Sequence, residues 1–414
     1  MNVHVEKTVP ITFKMVVDAY QKVRKGGKAA GIDGMSWETF DKDVTKQLYV
    51  IWNRLASGSY HPQAVREVEI PKKDGKMRKL GIPTLRDRIA QCVVKDYMEQ
   101  RIDHKFHQQS YGYRPLKSSK QAIEEVGKNN IEYDWVIDLD IANFFDEIDH
   151  ELLMKGVETM IEESWVKMYV KRWLTMKIET KAGEQYSRGG KGTPQGGVIS
   201  PLLANIFLHF ALDKWIAKHY PETKFVRYAD DMIIHCKTKE QAETILNAIK
   251  ERLTQVKLRL SESKTKIVYC KDYRRRQVHE QVEFGFLGYS FRPRKCKSKM
   301  HTRKSYTGYT AEISQSNQKK IREAIRESIN WNNTSIEMKD IANAFNSKLR
   351  GWINYFGLYS RQTLRNTLHL IEQKLLRWIQ RKYKILSIRK ANLKLKAIKI
   401  KFPKLFYHWG TKYC

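Results

Sequence analysis

Two adjacent aspartates, Asp230 and Asp231, lie between short runs of apolar, β-prone residues. This pattern predicts two strands joined by a tight turn. Neighbouring carboxylates repel each other, which favours protonation of one of them unless a cation lies between them. Oxygen ligands of this kind suit Mg²⁺, which proteins hold through one or two carboxylates together with substrate phosphates. The alternative is a solvated Asp-Asp turn, because so short a motif also arises without function.

A second pair of acids occurs in the apolar stretch that begins at Trp135. Strand alternation places Asp138 and Asp140 on one face and Ile137 and Leu139 on the other. Two acids on such a strand need a metal or hydrogen-bond donors, unless the face is the solvated side of an edge strand. One of these carboxylates and the two of the turn would form a three-acid cage. Alternation alone does not separate Asp138 from Asp140.

The charge balance indicates a polyanionic partner. The 414 residues contain 77 Lys and Arg against 45 Asp and Glu, a formal net charge of +32. Such a charge favours nucleic acid as the first candidate partner and a membrane surface as the second. No apolar run approaches the length of a membrane span, so we expect no membrane insertion. The five cysteines have no paired spacing, which favours a reducing cytoplasm and argues against structural zinc.

The elements that must position these acids follow from the hydrophobic patterns. Alternating residues at 65–71 and 77–83 predict a hairpin with a basic turn, which is either a solvated turn or a phosphate grip. The glycine-rich stretch 189–197 indicates close backbone approach, followed by a helix that opens at Ser200-Pro201. Further helices are predicted over 84–107, 117–130, 152–176, 202–216 and 239–253, short strands over 258–260 and 266–269, and a glycine-bulged hairpin over 284–291.

The composition changes after residue 291. Apolar stripes at helical spacing predict three helices, over residues 321–329, 338–352 and 364–378, that form a bundle core. The last acid is Glu372, and residues 373–414 carry 13 Lys or Arg interleaved with aromatic side chains. Phosphate contact and base stacking require this combination.

These residues resemble a known family. Tyr228-Ala229-Asp230-Asp231 resembles the central box of reverse transcriptases. The stretches 138–146, 192–197 and 199–205 resemble those of bacterial group II intron reverse transcriptase/maturases. Gly31-Ile32-Asp33-Gly34 resembles their N-terminal extension, and residues 351–356 resemble their maturase (thumb) domain.

The resemblance implies an α+β right-hand polymerase with fingers and an antiparallel palm sheet, followed by a helical thumb and a basic tail. The implied domains are an N-terminal extension with the start of the fingers (1–64), fingers and palm (65–291), thumb or maturase domain (305–385) and DNA-binding tail (386–414). The paired cysteines and histidines of the family's nuclease domain do not occur, so we expect no endonuclease domain.

The resemblance also assigns roles. It implies that Asp140, Asp230 and Asp231 hold two Mg²⁺ ions for an in-line displacement. It prefers Asp140 over Asp138 because the metal ligand of the family lies five residues before the aromatic residue at the position of Phe145. The Phe145 ring would block a ribose 2′-hydroxyl. The remaining implied residues are a triphosphate grip (Lys72, Arg78), a residue under the incoming sugar (Gln195), a proton donor to pyrophosphate (Lys264) and a primer grip (Phe286, Leu287, Gly288, Tyr289).

The expected function is RNA-directed DNA synthesis, combined with binding of the intron RNA as a splicing cofactor and intron mobility by target-primed reverse transcription. The expected partners are intron RNA, RNA template, primer or target DNA and deoxynucleotides, in a bacterial cytoplasm. Two alternatives stay open: a related reverse transcriptase recruited to host defence or DNA repair, and a splicing-only RNA-binding cofactor. The sequence leaves open whether the protein is a monomer or a dimer.

Overall fold

The computed structural model describes residues 9–71, 77–297 and 305–411, and these residues form an α+β fold, as predicted. They divide into two units. The first contains the residues up to Ala122 together with Leu139–Thr265, and the second contains Ile123–Asp138 and the residues from Lys266 onward. No helix in the described part of the chain is long and apolar enough to cross a membrane.

The elements up to the turn that contains Asp230 alternate between helices and short strands. They are α1 (Phe13–Arg24), α2 (Trp37–Lys42), α3 (Val44–Ala56), β1 (Val65–Pro71), β2 (Met77–Ile82), α4 (Leu85–Ile102), α5 (Ser119–Glu132), β3 (Trp135–Leu139), α6 (Phe144–Glu147), α7 (His150–Met160), α8 (Ser164–Leu174), β4 (Ile178–Glu179), β5 (Gln185–Tyr186), α9 (Ser200–Leu208), α10 (Lys214–His219) and β6 (Lys224–Tyr228).

The remaining elements are strands followed by a run of helices. They are β7 (Asp231–Cys236), α11 (Lys239–Gln255), β8 (Lys266–Tyr269), β9 (Phe284–Phe286), β10 (Tyr289–Lys297), β11 (Ser305–Ile313), α12 (Gln315–Glu327), α13 (Met338–Phe356), α14 (Arg361–Lys382) and α15 (Ile388–Lys401).

In the first unit, β1 and β2 pair antiparallel in the register Val68↔Leu80, as their alternation predicts. Strand β4 adds parallel to β1, and β5 pairs antiparallel with β4. Strands β6 and β7 form an antiparallel hairpin that ends in the pair Tyr228↔Asp231. Helix α9 begins at Ser200 with a proline in its first turn, as predicted.

The second unit contains the antiparallel pair β3–β8 and the antiparallel sheet β9-β10-β11. The predicted apolar stripes lie on the buried sides of α12, α13 and α14, where Ile325, Phe345, Leu349, Leu368 and Leu375 are almost wholly excluded from solvent. Burial of such side chains, each contributing roughly 1.5–3 kcal/mol, stabilises the bundle.

Three local predictions were wrong. The single helix over 152–176 is two helices, because Ile161 is buried in an extended conformation between α7 and α8. The strand over 258–260 reduces to one bridge between Leu260 and Ile141, following Lys257 at a φ of 60°. The helix over 202–216 contains a π-helical turn between α9 and α10. No element was predicted for residues 292–297, which continue β10 and pair with β11.

Candidate active site

The turn between β6 and β7 carries the two adjacent aspartates. Ala229 has a φ of 57°, the left-handed region that alanine rarely adopts. Its carbonyl oxygen accepts a hydrogen bond from Arg227 Nη1 at 3.0 Å, which holds the turn in this conformation. A Cβ on Gly112 would lie 2.3 Å from the Ala229 nitrogen. Only glycine therefore allows the loop between α4 and α5 to lie against the turn. The turn is therefore fixed from two sides.

Arg227 is fully buried beside this turn. Its guanidinium donates to Asp213 Oδ1 and Oδ2 at 2.7 and 2.5 Å and to Asn205 Oδ1 at 2.9 Å. Asn205 in turn donates to the carbonyl oxygen of Gly112 at 2.7 Å. The roles of Arg227, Asp213 and Gly112 were not predicted from the sequence. An arginine inside the apolar strand Phe225–Tyr228 was the available signal, since a buried charge needs a partner.

The third carboxylate, Asp140, directly follows β3. Its backbone nitrogen donates to Thr265 Oγ1 at 3.2 Å, and its carbonyl oxygen accepts from the Ser261 nitrogen at 2.8 Å. These bonds fix the backbone from which the side chain projects. Lys264 Nζ lies 3.4 Å from Asp140 Oδ2, so the structure brings two of the predicted site residues together.

The charge of Asp140 acts on the two aspartates of the turn. Burial raises the pKa of Asp230, and the charge of Asp140 adds to this effect. Asp231 has part of its surface open to solvent, but protein atoms surround the rest of it. This partial burial, together with the charges of Asp230 and Asp140, raises the pKa of Asp231 to about 6. Within the described residues, no three His, Cys, Asp or Glu side chains are gathered as tightly as a metal cluster requires. The arrangement is one of mutual repulsion, which a cation would relieve.

The predicted nucleotide-binding residues form a polar chain on the glycine-rich loop. Arg78 Nε on β2 donates to Gln195 Oε1, and Gln195 Nε2 donates to Asp146 Oδ2 at 3.0 Å. The Gly81 nitrogen donates to the carbonyl oxygen of Gln195 at 3.0 Å, which anchors the loop to β2. The structure therefore brings Arg78 and Gln195 together. Lys72 lies outside the described residues.

Phe145 is half-buried on the short helix α6. The helix follows Asn143, which has a φ of 45°, and the Thr193 nitrogen donates to the carbonyl oxygen of Phe145 at 2.8 Å. A Cβ on Gly192 would lie 2.8 Å from the carbonyl oxygen of Asp146, so the glycine-rich loop packs directly on α6. This contact explains why the loop needs glycine.

The predicted primer grip, Phe286 to Tyr289, is the turn between β9 and β10 in the second unit. Leu287 and Gly288 have φ values of 49° and 81°, which complete a tight hairpin turn. Tyr289 Oη donates to the carbonyl oxygen of Tyr355 at 2.5 Å, and Tyr355 Oη donates to that of Leu287 at 2.8 Å. Asn317 Nδ2 donates to the Gly288 oxygen at 2.9 Å. Helices α12 and α13 therefore hold this turn.

Comparison with family models identifies the class of protein. Residues 70–291 match the reverse transcriptase (RNA-dependent DNA polymerase) family, and residues 318–396 match the maturase-specific domain of group II introns. The first match covers more than half of the chain and includes the aspartate turn. The chain belongs to the group II intron reverse transcriptase/maturase family.

Individual relatives agree with this assignment. Protein YkfC of Escherichia coli is 34% identical over 286 residues, which cover 60% of this chain and 74% of YkfC. The group II intron-encoded protein LtrA of Lactococcus lactis subsp. cremoris is 29% identical, over 88% of this chain and 72% of LtrA. The putative COX1/OXI3 intron 1 protein of Saccharomyces cerevisiae is 31% identical over 49% of this chain and 24% of its own length.

Proposed function

We propose that this protein copies RNA into DNA at the Asp140–Asp230–Asp231 site, and that it binds its intron RNA as a splicing cofactor and supports mobility by target-primed reverse transcription. One observation carries the polymerase proposal. Within the region that matches reverse transcriptases, the charge of Asp140 raises the pKa of both Asp230 and Asp231, which lie on a separate segment. A protein that only bound RNA would not need such an arrangement.

We propose two Mg²⁺ ions at this site, because carboxylate oxygens are hard ligands and a cation would relieve the repulsion that Asp230 and Asp231 experience. Asp140, Asp230 and Asp231 would hold them. When bound, the ions would activate the primer 3′-hydroxyl and stabilise the departing pyrophosphate.

The surrounding side chains bind and orient the nucleotide in this proposal. Arg78 and Lys72 grip the triphosphate, since an arginine fork and a mobile ammonium complement phosphate oxygens. Gln195 lies under the incoming sugar, where its bond to Asp146 fixes the orientation of the amide. Phe145 excludes a 2′-hydroxyl. Lys264, beside Asp140, is positioned to protonate the pyrophosphate.

The domain plan follows the same proposal. Residues 1–64 form an N-terminal extension and the start of the fingers, residues 65–291 form fingers and palm, and residues 305–385 form the thumb, with the Phe286–Tyr289 turn as primer grip. Residues 386–411 are folded onto the helical bundle. Lys399 on α15 lies 2.5 Å from Glu372 on α14, while His408 and Trp409 donate to Glu372 at 2.9 and 2.8 Å. We propose that the basic residues of this segment contact target DNA.

The polymerase proposal is tested by primer extension on an RNA template with Mg²⁺ and the four deoxynucleotides. DNA product is expected, and product only with ribonucleotides would contradict the proposal. The splicing proposal is tested with the RNA of an intron that flanks the gene. Faster ligation of the exons in the presence of the protein is expected. Ligation at the same rate with and without the protein would contradict this second role.

A further inference from the structure

A cavity of about 490 Å³ lies within the second unit. It is bounded by α5, the loop after β8 and the β10–β11 hairpin, and none of the residues discussed for catalysis lines it. Aromatic side chains form much of its wall, namely Phe291, Tyr273, Tyr306 and Tyr309. Its size suits a nucleotide-sized ligand, since small-molecule sites begin near 300 Å³.

The inner end of the cavity is polar. Asn130 on α5 is 1% exposed, and its Nδ2 atom has no hydrogen-bond partner. A buried amide donor without a partner costs free energy, which a ligand acceptor would recover. Arg275, also buried, is held by Asp272 and by the carbonyl oxygens of Tyr133 and Asn130. Arg275 therefore holds the backbone of Asn130, and the side-chain Oδ1 of Asn130 accepts from Cys270 Sγ at 3.8 Å.

The mouth of the cavity combines aromatic rings with cations. Tyr273 and Tyr306 are 52% and 43% exposed, and their rings meet edge to face at 5.6 Å. The Tyr273 nitrogen donates to the carbonyl oxygen of Thr307 at 2.8 Å, which fixes the loop on β11.

The side chains of Lys128 and Arg274 remain 62% and 46% exposed. The exposed ion pair of Lys128 with Glu124 is weak enough to be exchanged for phosphate. Arg274 bonds to Asp272 and to the Ile131 carbonyl oxygen through Nη2, and phosphate would meet the rest of its guanidinium.

We propose that this cavity takes one unpaired nucleobase of a bound RNA. The base stacks on the tyrosines and accepts a hydrogen bond from Asn130 Nδ2, while Lys128 and Arg274 contact the flanking phosphates. The inference rests on the proposed function only in requiring that the protein binds RNA.

Gly127 provides a matched pair of test variants. It lies on α5 at the cavity wall, and an added Cβ would meet nothing within 4 Å. Gly127→Phe would fill the cavity, whereas Gly127→Ala would leave it open and favour the helix. Tyr306→Ala removes one stacking surface, and because Tyr306 is exposed the substitution leaves no cavity in the core.

The probe is an RNA duplex with a single bulged 2-aminopurine nucleotide, compared with the fully paired duplex. We expect wild type and Gly127→Ala to prefer the bulged RNA by about tenfold and to quench its fluorescence, because stacking of one base supplies an effect of this order. Gly127→Phe and Tyr306→Ala should lose most of this preference. Primer extension by all four proteins should remain the same, so a failed polymerase proposal would be visible separately.

Equal affinity of the wild type for the two duplexes would overturn the inference, as would an undiminished preference in Gly127→Phe. Competition by free AMP at the concentration at which the bulged RNA binds would also overturn it, because the site would then belong to a free nucleotide.

Discussion

Arg227 and Asp213 form a fully buried, bidentate ion pair beside the aspartate turn, with both carboxylate oxygens within 2.7 Å of guanidinium nitrogens. The same guanidinium donates to the carbonyl oxygen of Ala229. The pair thus links α9 and its π-helical continuation, through Asn205 and Asp213, to the turn that presents Asp230. We infer that it holds the turn in its strained conformation.

Removing Asp213 should therefore destabilise the protein and impair the site. In Asp213→Leu the charge of Arg227 stays buried without its partner, and we expect a loss of about 3–5 kcal/mol in the free energy of unfolding. The double variant Asp213→Leu/Arg227→Met should recover much of this stability, because a buried ion pair can be replaced by apolar side chains. Its primer extension should nevertheless remain low, since the bond to Ala229 is still lost. Urea unfolding and extension rates separate the two effects, and full activity in the double variant would contradict the positioning role.

A methyl group at Gly112 should displace the turn. In Gly112→Ala the new Cβ would lie 2.3 Å from the Ala229 nitrogen, so the backbone must shift. A displacement of this kind can cost about 10²-fold in rate. Gly27→Ala is the control, because its Cβ would meet nothing within 4 Å. Equal extension rates for the two variants would show that the contact has no effect on catalysis.

Phe145 should select against ribonucleotides. Phe145→Ala removes the ring while leaving the backbone bond from Thr193 in place. We expect incorporation of ribonucleotides relative to deoxynucleotides to rise by about 10–200-fold, the range that pocket contacts of this size supply. Single-nucleotide extension measures kcat/KM for both substrates. An unchanged ratio together with normal deoxynucleotide incorporation would assign the discrimination to another residue.

Glu372 should make the stability of the second unit depend on pH. Burial raises its pKa, but hydrogen bonds from His408, Lys399 and Trp409 outweigh burial and lower it to about 2. An unfolded glutamate titrates near pH 4.3, so the stabilisation is full above that pH and is lost as the pH falls towards 2. The shift corresponds to roughly 3 kcal/mol.

The comparison that isolates this effect is with Glu372→Gln, which keeps an oxygen acceptor and loses the charge. We expect wild type to be the more stable protein at pH 7, and the difference in urea midpoint, followed by circular dichroism, to shrink from pH 4.5 downward. A difference that stays constant from pH 7 to pH 2.5 would contradict the role of the charge.

Much of the fold follows from local patterns in the sequence. Alternation predicted the β1–β2 and β6–β7 hairpins, and helical spacing predicted α12 to α14. Helix α15 was not predicted, because its sequence is dominated by lysines and its stability comes from Leu395 and from contacts with α14 that a local pattern does not reveal. The break between α7 and α8 depends in the same way on the burial of Ile161.

The site, like the fold, combines features that follow from local sequence with features that depend on tertiary contacts. The aspartates and Phe145 could be found from their neighbours in the sequence and from the family resemblance. The support provided by Asp213 and Gly112 could not, because each contacts the turn across more than ten residues of intervening chain. The choice between Asp138, in β3, and Asp140, which follows β3, also depends on tertiary contacts. Asp140 lies beside Lys264, and its charge raises the pKa of Asp230 and Asp231.

The most direct test of the polymerase site compares primer extension on RNA by wild type, Asp230→Asn and the surface control Asp18→Asn, with RNA affinity measured in parallel. The account predicts that Asp230→Asn binds RNA as the wild type does and extends the primer more slowly by a factor on the order of 10³, while Asp18→Asn is unaffected. Extension by Asp230→Asn at the wild-type rate would contradict the assignment of the site.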